Sequence, residues 1–112
     1  MKLNTYDKEG VFVVEVKGQL MGGPDTGELD EKLYSIIGKD VKKAVVDLKD
    51  CDWINSSGLS ILIHHYKKFK DAGGELKLAN LTNKVERIMV ISRLTEVFDV
   101  RDSVDDAIKA FK

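Results

Sequence analysis

The chain has 112 residues, of which 43% are hydrophobic and 33% charged, and 18 basic residues against 19 acidic ones leave a formal net charge of -1. This balance is typical of a globular protein with one domain over residues 1–112, and it argues against a general nucleic-acid binder, which normally carries a basic excess on one face. No apolar run approaches the roughly 20 residues that cross a bilayer, and residues 1–7 lack an apolar signal segment, so we expect a cytoplasmic protein without a membrane partner.

The N-terminal third predicts a β-hairpin followed by a helix. Residues 3–6 and 11–16 are rich in β-branched and aromatic side chains, and the turn between them ends at Gly10. Pro24 suits the first position of a helix, and Gly38 is placed to end it. The helix carries apolar residues at helical spacing, namely Leu29, Leu33, Ile36 and Ile37.

The middle of the chain predicts a buried strand, a polar crossover and a long helix. Residues 44–48 form a short apolar and β-branched run, which favours a strand covered on both faces. A helical pattern begins at Ser57 after the crossover, and Gly73 and Gly74 end it as a left-handed cap requires. The stripe expected to face the sheet consists of Leu59, Leu62, Ile63, Tyr66 and Phe69.

The C-terminal third continues the alternation of strands and helices. Residues 75–79 alternate as a strand does, and Thr82 or Asn83 can cap a helix that runs to about Leu94. Residues 97–100 predict a short strand, and Ser103 caps a last helix. The order predicts an α/β fold, with a mostly parallel sheet of four to five strands, an N-terminal hairpin and about four helices.

The segment Asn55-Ser56-Ser57-Gly58 joins the central strand to its helix. Asparagine and serine side chains cap free N–H groups at a helix start, so two hydroxyls are held near the positive end of the helix dipole. An anion would be tolerated there. The segment is interpreted either as a plain helix cap or as a regulatory serine.

Other sites are less well supported, so we predict no catalytic residue, no metal and no cofactor. The glycines do not form a phosphate-binding loop, and neither serine lies in a nucleophile elbow. His64 and His65 are adjacent on a helix, so their side chains diverge by about 100° and cannot share a metal ion. A magnesium site at Asp47, Asp50 and Asp52 is considered, but solvated acidic residues are favoured. The lone cysteine, Cys51, is expected to be a buried bystander.

One segment resembles a known family. Asp47-Leu48 followed by Trp53-Ile54-Asn55-Ser56-Ser57-Gly58-Leu59 closely resembles the signature of the bacterial anti-sigma factor antagonists, the STAS-domain proteins. Gly18-Gln19-Leu20 and Asn80-Leu81 also match, so the resemblance covers nearly the whole chain.

The resemblance implies a non-enzymatic regulator with a STAS-like domain. An anti-sigma factor that is also a serine kinase would bind the unmodified protein and release its sigma factor. The kinase would phosphorylate the serine just before the glycine, here Ser57, and a serine phosphatase would reverse the change. Asn55, Ser56 and Gly58 would then surround the phosphorylated residue.

The helical spacing also predicts contacts with the partner. Ile61, His65 and Lys68 fall on the flank of the helix that shares a surface with Ser57, so we expect them to bind the partner. Trp53 could be an exposed anchor for the partner, but a tryptophan that closes the core beneath the loop is favoured.

Two alternatives stay open. Many relatives carry aspartate at the position of Asn55, and the neutral amide favours a STAS scaffold or ligand-sensing module that acts by association without phosphorylation. An enzyme with Ser56 or Ser57 as nucleophile lacks an evident base.

Overall fold

The computed structural model describes residues 2–37, 39 and 41–112, with the backbone alone for 23–25. Its sheet has the strand order β1-β2-β3-β4-β5. The first strand is antiparallel to the second, and the later neighbours are parallel. The strands are β1 (Lys2–Lys8), β2 (Val11–Leu20), β3 (Lys43–Ile54), β4 (Glu75–Ala79) and β5 (Val100–Arg101). The predicted α/β fold with an N-terminal hairpin is confirmed.

The helices follow the predicted order. They are α1 (Gly23–Ile37), α2 (Ser56–Asp71), α3 (Asn83–Ile91) and α4 (Val104–Ala110), with a short 3-10 turn at Leu94–Glu96. The predicted end at Gly38 lies outside the described residues. Helix α3 ends before Leu94 because Arg93 adopts a left-handed conformation with φ of 60°. In the described part of the chain, no helix is long and apolar enough to cross a bilayer.

Helices cover the two faces of the sheet unequally. On one face, α1, α2 and α3 pack over the main core, which includes Leu33, Leu62, Phe69 and Met89. On the other face, the short α4 covers only a small cluster. That cluster comprises Val11, Val13, Val45, Ala79, Ala107 and Ile108. Beyond α4, this second face carries polar and partly exposed residues.

Strand β3 is longer than predicted, because it continues through the expected polar crossover. It runs beside β2 until Leu20 pairs with Ile54, and two register shifts interrupt the pairing on the way. Such irregularities leave extra residues outside the ladder, which is why the burial of β3 does not alternate strictly. Both strands end at the same edge of the sheet, so the turns that lead into α1 and α2 lie side by side.

Candidate functional site

Ser57 lies in the first turn of α2, at the carboxyl edge of the sheet. Ser56 and Ser57 are exposed, whereas Gly58 is buried. Within the described part of the chain, the Ser57 hydroxyl has no hydrogen-bond partner. Helix α2 was predicted to begin at Ser57 and begins one residue earlier, at Ser56. Ser57 presents a free hydroxyl at the solvent surface.

Asn55 is the N-cap of α2 and connects three backbone segments. Its Oδ1 accepts a hydrogen bond from the Gly58 N–H at 3.0 Å, which satisfies one of the free donors at the helix start. Its Nδ2 donates to the Met21 carbonyl at 2.7 Å. Its backbone N–H donates to the Leu20 carbonyl at 3.0 Å. The amide thus joins the end of β2 to the start of α2.

Gly58 allows α2 to begin close to β2. A Cβ atom at this position would lie 2.5 Å from the Leu20 carbonyl oxygen and 2.8 Å from the Leu20 Cβ. Neither atom can move without disturbing the strand. A side chain here would therefore push the start of the helix, and Ser57 with it, away from the sheet.

Gly22 lies against Ser57 in the turn between β2 and α1. Its φ is +86°, and a Cβ atom would lie 2.9 Å from the Ser57 Cβ and 3.3 Å from its Oγ. Helix α1 begins at the next residue, so the starts of two helices meet beside the serine. We did not predict this contact, although parallel strands with right-handed crossovers place such turns at the same edge.

The electrostatic setting of Ser57 is favourable to an anion. The first turn of α2 contains no acidic residue, and its last turn carries Lys68 and Lys70. The exposed N–H end of a helix carries a partial positive charge, which stabilises nearby negative charge. The start of α2 therefore has nothing in its own first turn that would repel an added phosphoryl group.

The predicted partner contacts on α2 fall in different environments. Lys68 is exposed and Ile61 is half-buried. The prediction that His65 lies on the exposed flank is wrong, because its side chain is 0% exposed. Helix α1 packs against this part of α2, and the His65 Nε2 lies 2.6 Å from the Asp30 Oδ1. Burial lowers the pKa of His65, although the hydrogen bond to Asp30 opposes the shift.

Two exposed apolar side chains are close in sequence to residues of the site, since Met21 precedes Gly22 and Trp53 precedes Asn55 by two residues. Met21 is 47% exposed and Trp53 is 42% exposed. The favoured expectation that Trp53 closes the core is wrong, whereas its exposure agrees with the alternative; Trp53 belongs to an irregular stretch of β3 and pairs with the exposed Gln19. Met21 was not predicted as a site residue. Its only sequence signal is an apolar side chain in a glycine-rich turn.

The aspartates considered for magnesium are dispersed by β3. Asp47 is buried and accepts hydrogen bonds from the Lys49 N–H and the Asn80 Nδ2, both at 3.1 Å. Asp50 and Asp52 are exposed. Among the described residues, no group of three or more potential ligands is placed to hold a metal ion. Burial raises the pKa of the Cys51 thiol.

Comparison with models of known domain families identifies the family of this chain. The model of the STAS domain matches residues 2–107. This chain belongs to the STAS domain family. The STAS assignment agrees with the serine-glycine segment at the start of α2 and with the hairpin that opens the sheet.

Individual STAS relatives are similar over most of the chain. BtrV of Bordetella bronchiseptica is 29% identical over 112 residues, which cover 100% of this chain and 96% of BtrV. The anti-sigma-B factor antagonist of Bacillus subtilis is 34% identical over 74 residues, which cover 64% of this chain and 65% of that protein. The phosphorylated form of the Bacillus cell fate determinant SpoIIAA superposes with a TM-score of 0.77 at 13% identity, covering 99% of this chain and 100% of SpoIIAA.

Proposed function

We propose that this protein is an anti-sigma factor antagonist, which binds an anti-sigma factor serine kinase and so frees a sigma factor. Phosphorylation of Ser57 ends the interaction, and a serine phosphatase restores it. The observation that carries the proposal is a free, exposed hydroxyl at the N-terminus of α2 in a STAS fold. The protein acts in the cytoplasm as a binding partner and catalyses no reaction.

The fold can accept the modification. A phosphoryl group adds about two negative charges at pH 7. Those charges would sit at the N-terminus of α2 and beside the start of α1, where helix dipoles favour them. Since the first turn of α2 holds no acidic residue, the phosphorylated protein should keep its fold.

Phosphorylation of Ser57 should be less favourable in the complex with the partner than in the free protein. Met21, which precedes Gly22, and Trp53, two residues before Asn55, are exposed, and on α2 Lys68 is exposed and Ile61 half-buried. A partner that covers these residues also removes water from Ser57. A dianion placed in such an interface is costly unless the partner supplies cations, so phosphorylation should release the partner.

The relatives support this role by their names. The Bacillus subtilis relative is named an anti-sigma-B factor antagonist, and that of Paenibacillus polymyxa an anti-sigma F factor antagonist. The SpoIIAA structure contains a phosphorylated protein.

The direct test is incubation of the protein with its cognate anti-sigma factor kinase and ATP, followed by mass spectrometry of the peptides. We expect one phosphate on Ser57 and none in Ser57→Ala. Ser56→Ala is the matched control, because it removes the neighbouring hydroxyl and should leave the labelling unchanged. Equal labelling of Ser57→Ala and the parent would show that Ser57 is not the phosphorylated residue, and the proposed switch would be wrong.

A second candidate is a STAS scaffold or ligand-sensing module that binds its partner without phosphorylation. Asn55 favours it, because a neutral amide cannot help to orient a kinase metal ion as a carboxylate can. Ser57→Asp and Ile61→Asp separate the two candidates. If the first leaves partner affinity unchanged while the second abolishes it, the scaffold is correct.

A further inference from the structure

A single peptide group beside Ser57 is held from both sides by side chains. The peptide joins Met21 to Gly22. Its carbonyl accepts a hydrogen bond from the Asn55 Nδ2 at 2.7 Å, and its N–H donates to the Thr26 Oγ1 at 2.7 Å. Asn55 is the cap of α2, and Thr26 lies in the first turn of α1, so the two bonds come from the starts of different helices.

Both side chains are fixed in their own surroundings. Thr26 is 0% exposed, so its hydroxyl cannot turn to water as a substitute partner. The other end of the Asn55 amide accepts from the Gly58 N–H at 3.0 Å, which determines the orientation of the amide. The peptide plane between Met21 and Gly22 is therefore held rigidly relative to both helix starts.

The fixed peptide plane determines what surrounds the serine. Gly22 is so close to Ser57 that a Cβ atom on it would lie 2.9 Å from the Ser57 Cβ. Met21, on the other side of the peptide, is held with its side chain in solvent. Rotation of this peptide would move both the Gly22 backbone, which lies against Ser57, and the exposed Met21 side chain.

We infer that Asn55 and Thr26 are positioning residues, which clamp the Met21–Gly22 peptide and keep the β2–α1 turn in the shape that the kinase recognises beside Ser57. The part concerning the kinase rests on the proposed function. The inference also explains the amide at position 55. An aspartate could still cap α2, but its carboxylate could not donate to the Met21 carbonyl.

The clamp is tested by hydrogen exchange of the Gly22 amide, followed by NMR in two single variants and their combination. Asn55→Asp keeps the capping acceptor and removes the donor, whereas Thr26→Val keeps the shape and removes the acceptor. We expect exchange at Gly22 to become at least about fivefold faster in each, as loss of one net hydrogen bond implies. Since both bonds hold one peptide, the double variant should show less than the sum of the two effects.

Two remote caps provide controls. Ser103→Asp exchanges the cap of α4 for a carboxylate, and Thr82→Val removes the cap of α3. Neither variant should make hydrogen exchange of the Gly22 amide faster relative to that of the other amides. Unchanged exchange at Gly22 in either clamp variant, or fully additive effects, would overturn the inference.

Kinetics with the cognate kinase then test the consequence for recognition. We expect each clamp variant to raise the KM for phosphorylation about fivefold, and Thr26→Val, which adds no carboxylate beside Ser57, to leave kcat unchanged because the hydroxyl itself is intact. A fall in kcat at constant KM in Thr26→Val would contradict a role in recognition. If the parent protein is not labelled at all, the proposed function fails, while the exchange experiment still decides whether the clamp exists.

Discussion

Ser57 is bordered by two glycines that serve different contacts. Gly58 lets α2 start against the Leu20 backbone, and Gly22 lets the preceding turn lie against the serine side chain. Gly58 could be predicted as part of the site because it follows the serine directly. Gly22 could not, because the contact joins residues that are far apart in sequence, and only the common edge of β2 and β3 brings them together.

Gly22→Ala tests the contact between the turn and Ser57. We expect it to lower the free energy of unfolding by about 2 kcal/mol, since positive φ disfavours alanine and the new methyl group meets the serine. Urea unfolding measures the change. Gly10→Ala is the matched control, because its φ is +81° but nothing lies within 4 Å of an added Cβ. Equal losses in the two variants would contradict a specific contact, and Ser57→Gly should relieve part of the loss at Gly22.

His65 should make stability depend on pH. Burial lowers its pKa in the folded protein, despite the hydrogen bond to Asp30, and the described residues offer no partner for its buried Nδ1. The unfolded chain therefore takes up the proton first as pH falls below about 6.5. The free energy of unfolding should accordingly be highest above that pH and decrease as pH falls toward the folded pKa.

Denaturant unfolding at pH 7.5 and 5.5 measures this dependence. His65→Gln should weaken the pH dependence of the free energy of unfolding, because the glutamine at position 65 does not titrate. His64→Gln changes the exposed neighbour and should leave the dependence in place. A parent protein whose stability is constant over this range would exclude the effect.

The environment of α2 illustrates what helical spacing can and cannot predict. The spacing correctly assigned Leu62 and Phe69 to the core. It grouped His65 with Lys68 because the two share a flank of the helix. Spacing within one helix does not say where the next helix packs, and α1 covers His65 but leaves Lys68 exposed. The bounds of β3 were also predicted wrongly. Its irregular pairing with β2 disrupts the alternation of buried and exposed residues, and that pairing cannot be predicted from one strand alone.

Lys77 connects β4 to its surroundings on the α4 side of the sheet. It is buried, and its Nζ lies 2.8 Å from the Glu75 Oε2 and 2.6 Å from the Asp99 Oδ2. The ammonium group also lies 4.7 Å from the centre of the Phe111 ring. One cation thus joins β4, the approach to β5 and the end of α4.

Lys77→Ala should therefore destabilise the protein by about 2 kcal/mol, because it leaves two partly covered carboxylates with fewer partners. Lys77→Met should lose less, since it keeps an unbranched apolar side chain at this buried position. Thermal unfolding of both variants measures the difference. Lys84→Ala, at an exposed position of α3, is the control and should change stability little. A loss for Lys84→Ala as large as that for Lys77→Ala would count against the cluster.

Across the whole molecule, the alternation of strands and helices predicted a mostly parallel sheet with a hairpin at one end. It did not predict the strand order, which places β3 at the centre with β2 and β4 beside it. That order places the starts of α1 and α2 together, while α4 lies on the opposite face. A change at Ser57 should consequently remain local.

Ser57→Asp tests this locality. We expect its backbone amide shifts to differ from those of the parent only in the β2–α1 and β3–α2 turns, with β5 and α4 unchanged. The added charge should raise the free energy of unfolding by about 0.5 kcal/mol at low salt and by less at high salt. Ser57→Asn is the neutral control and should lack the salt-dependent part. Widespread shift changes would indicate a rearrangement of the fold.

Trp53 is the only tryptophan of the chain, and it is 42% exposed and among the residues that we propose the partner covers. An indole that leaves water usually emits at shorter wavelength. Titration with a partner freed of tryptophan should therefore shift the emission to the blue, whereas Ser57→Asp should give no shift. Intrinsic fluorescence can then follow assembly and release in real time, without an attached dye.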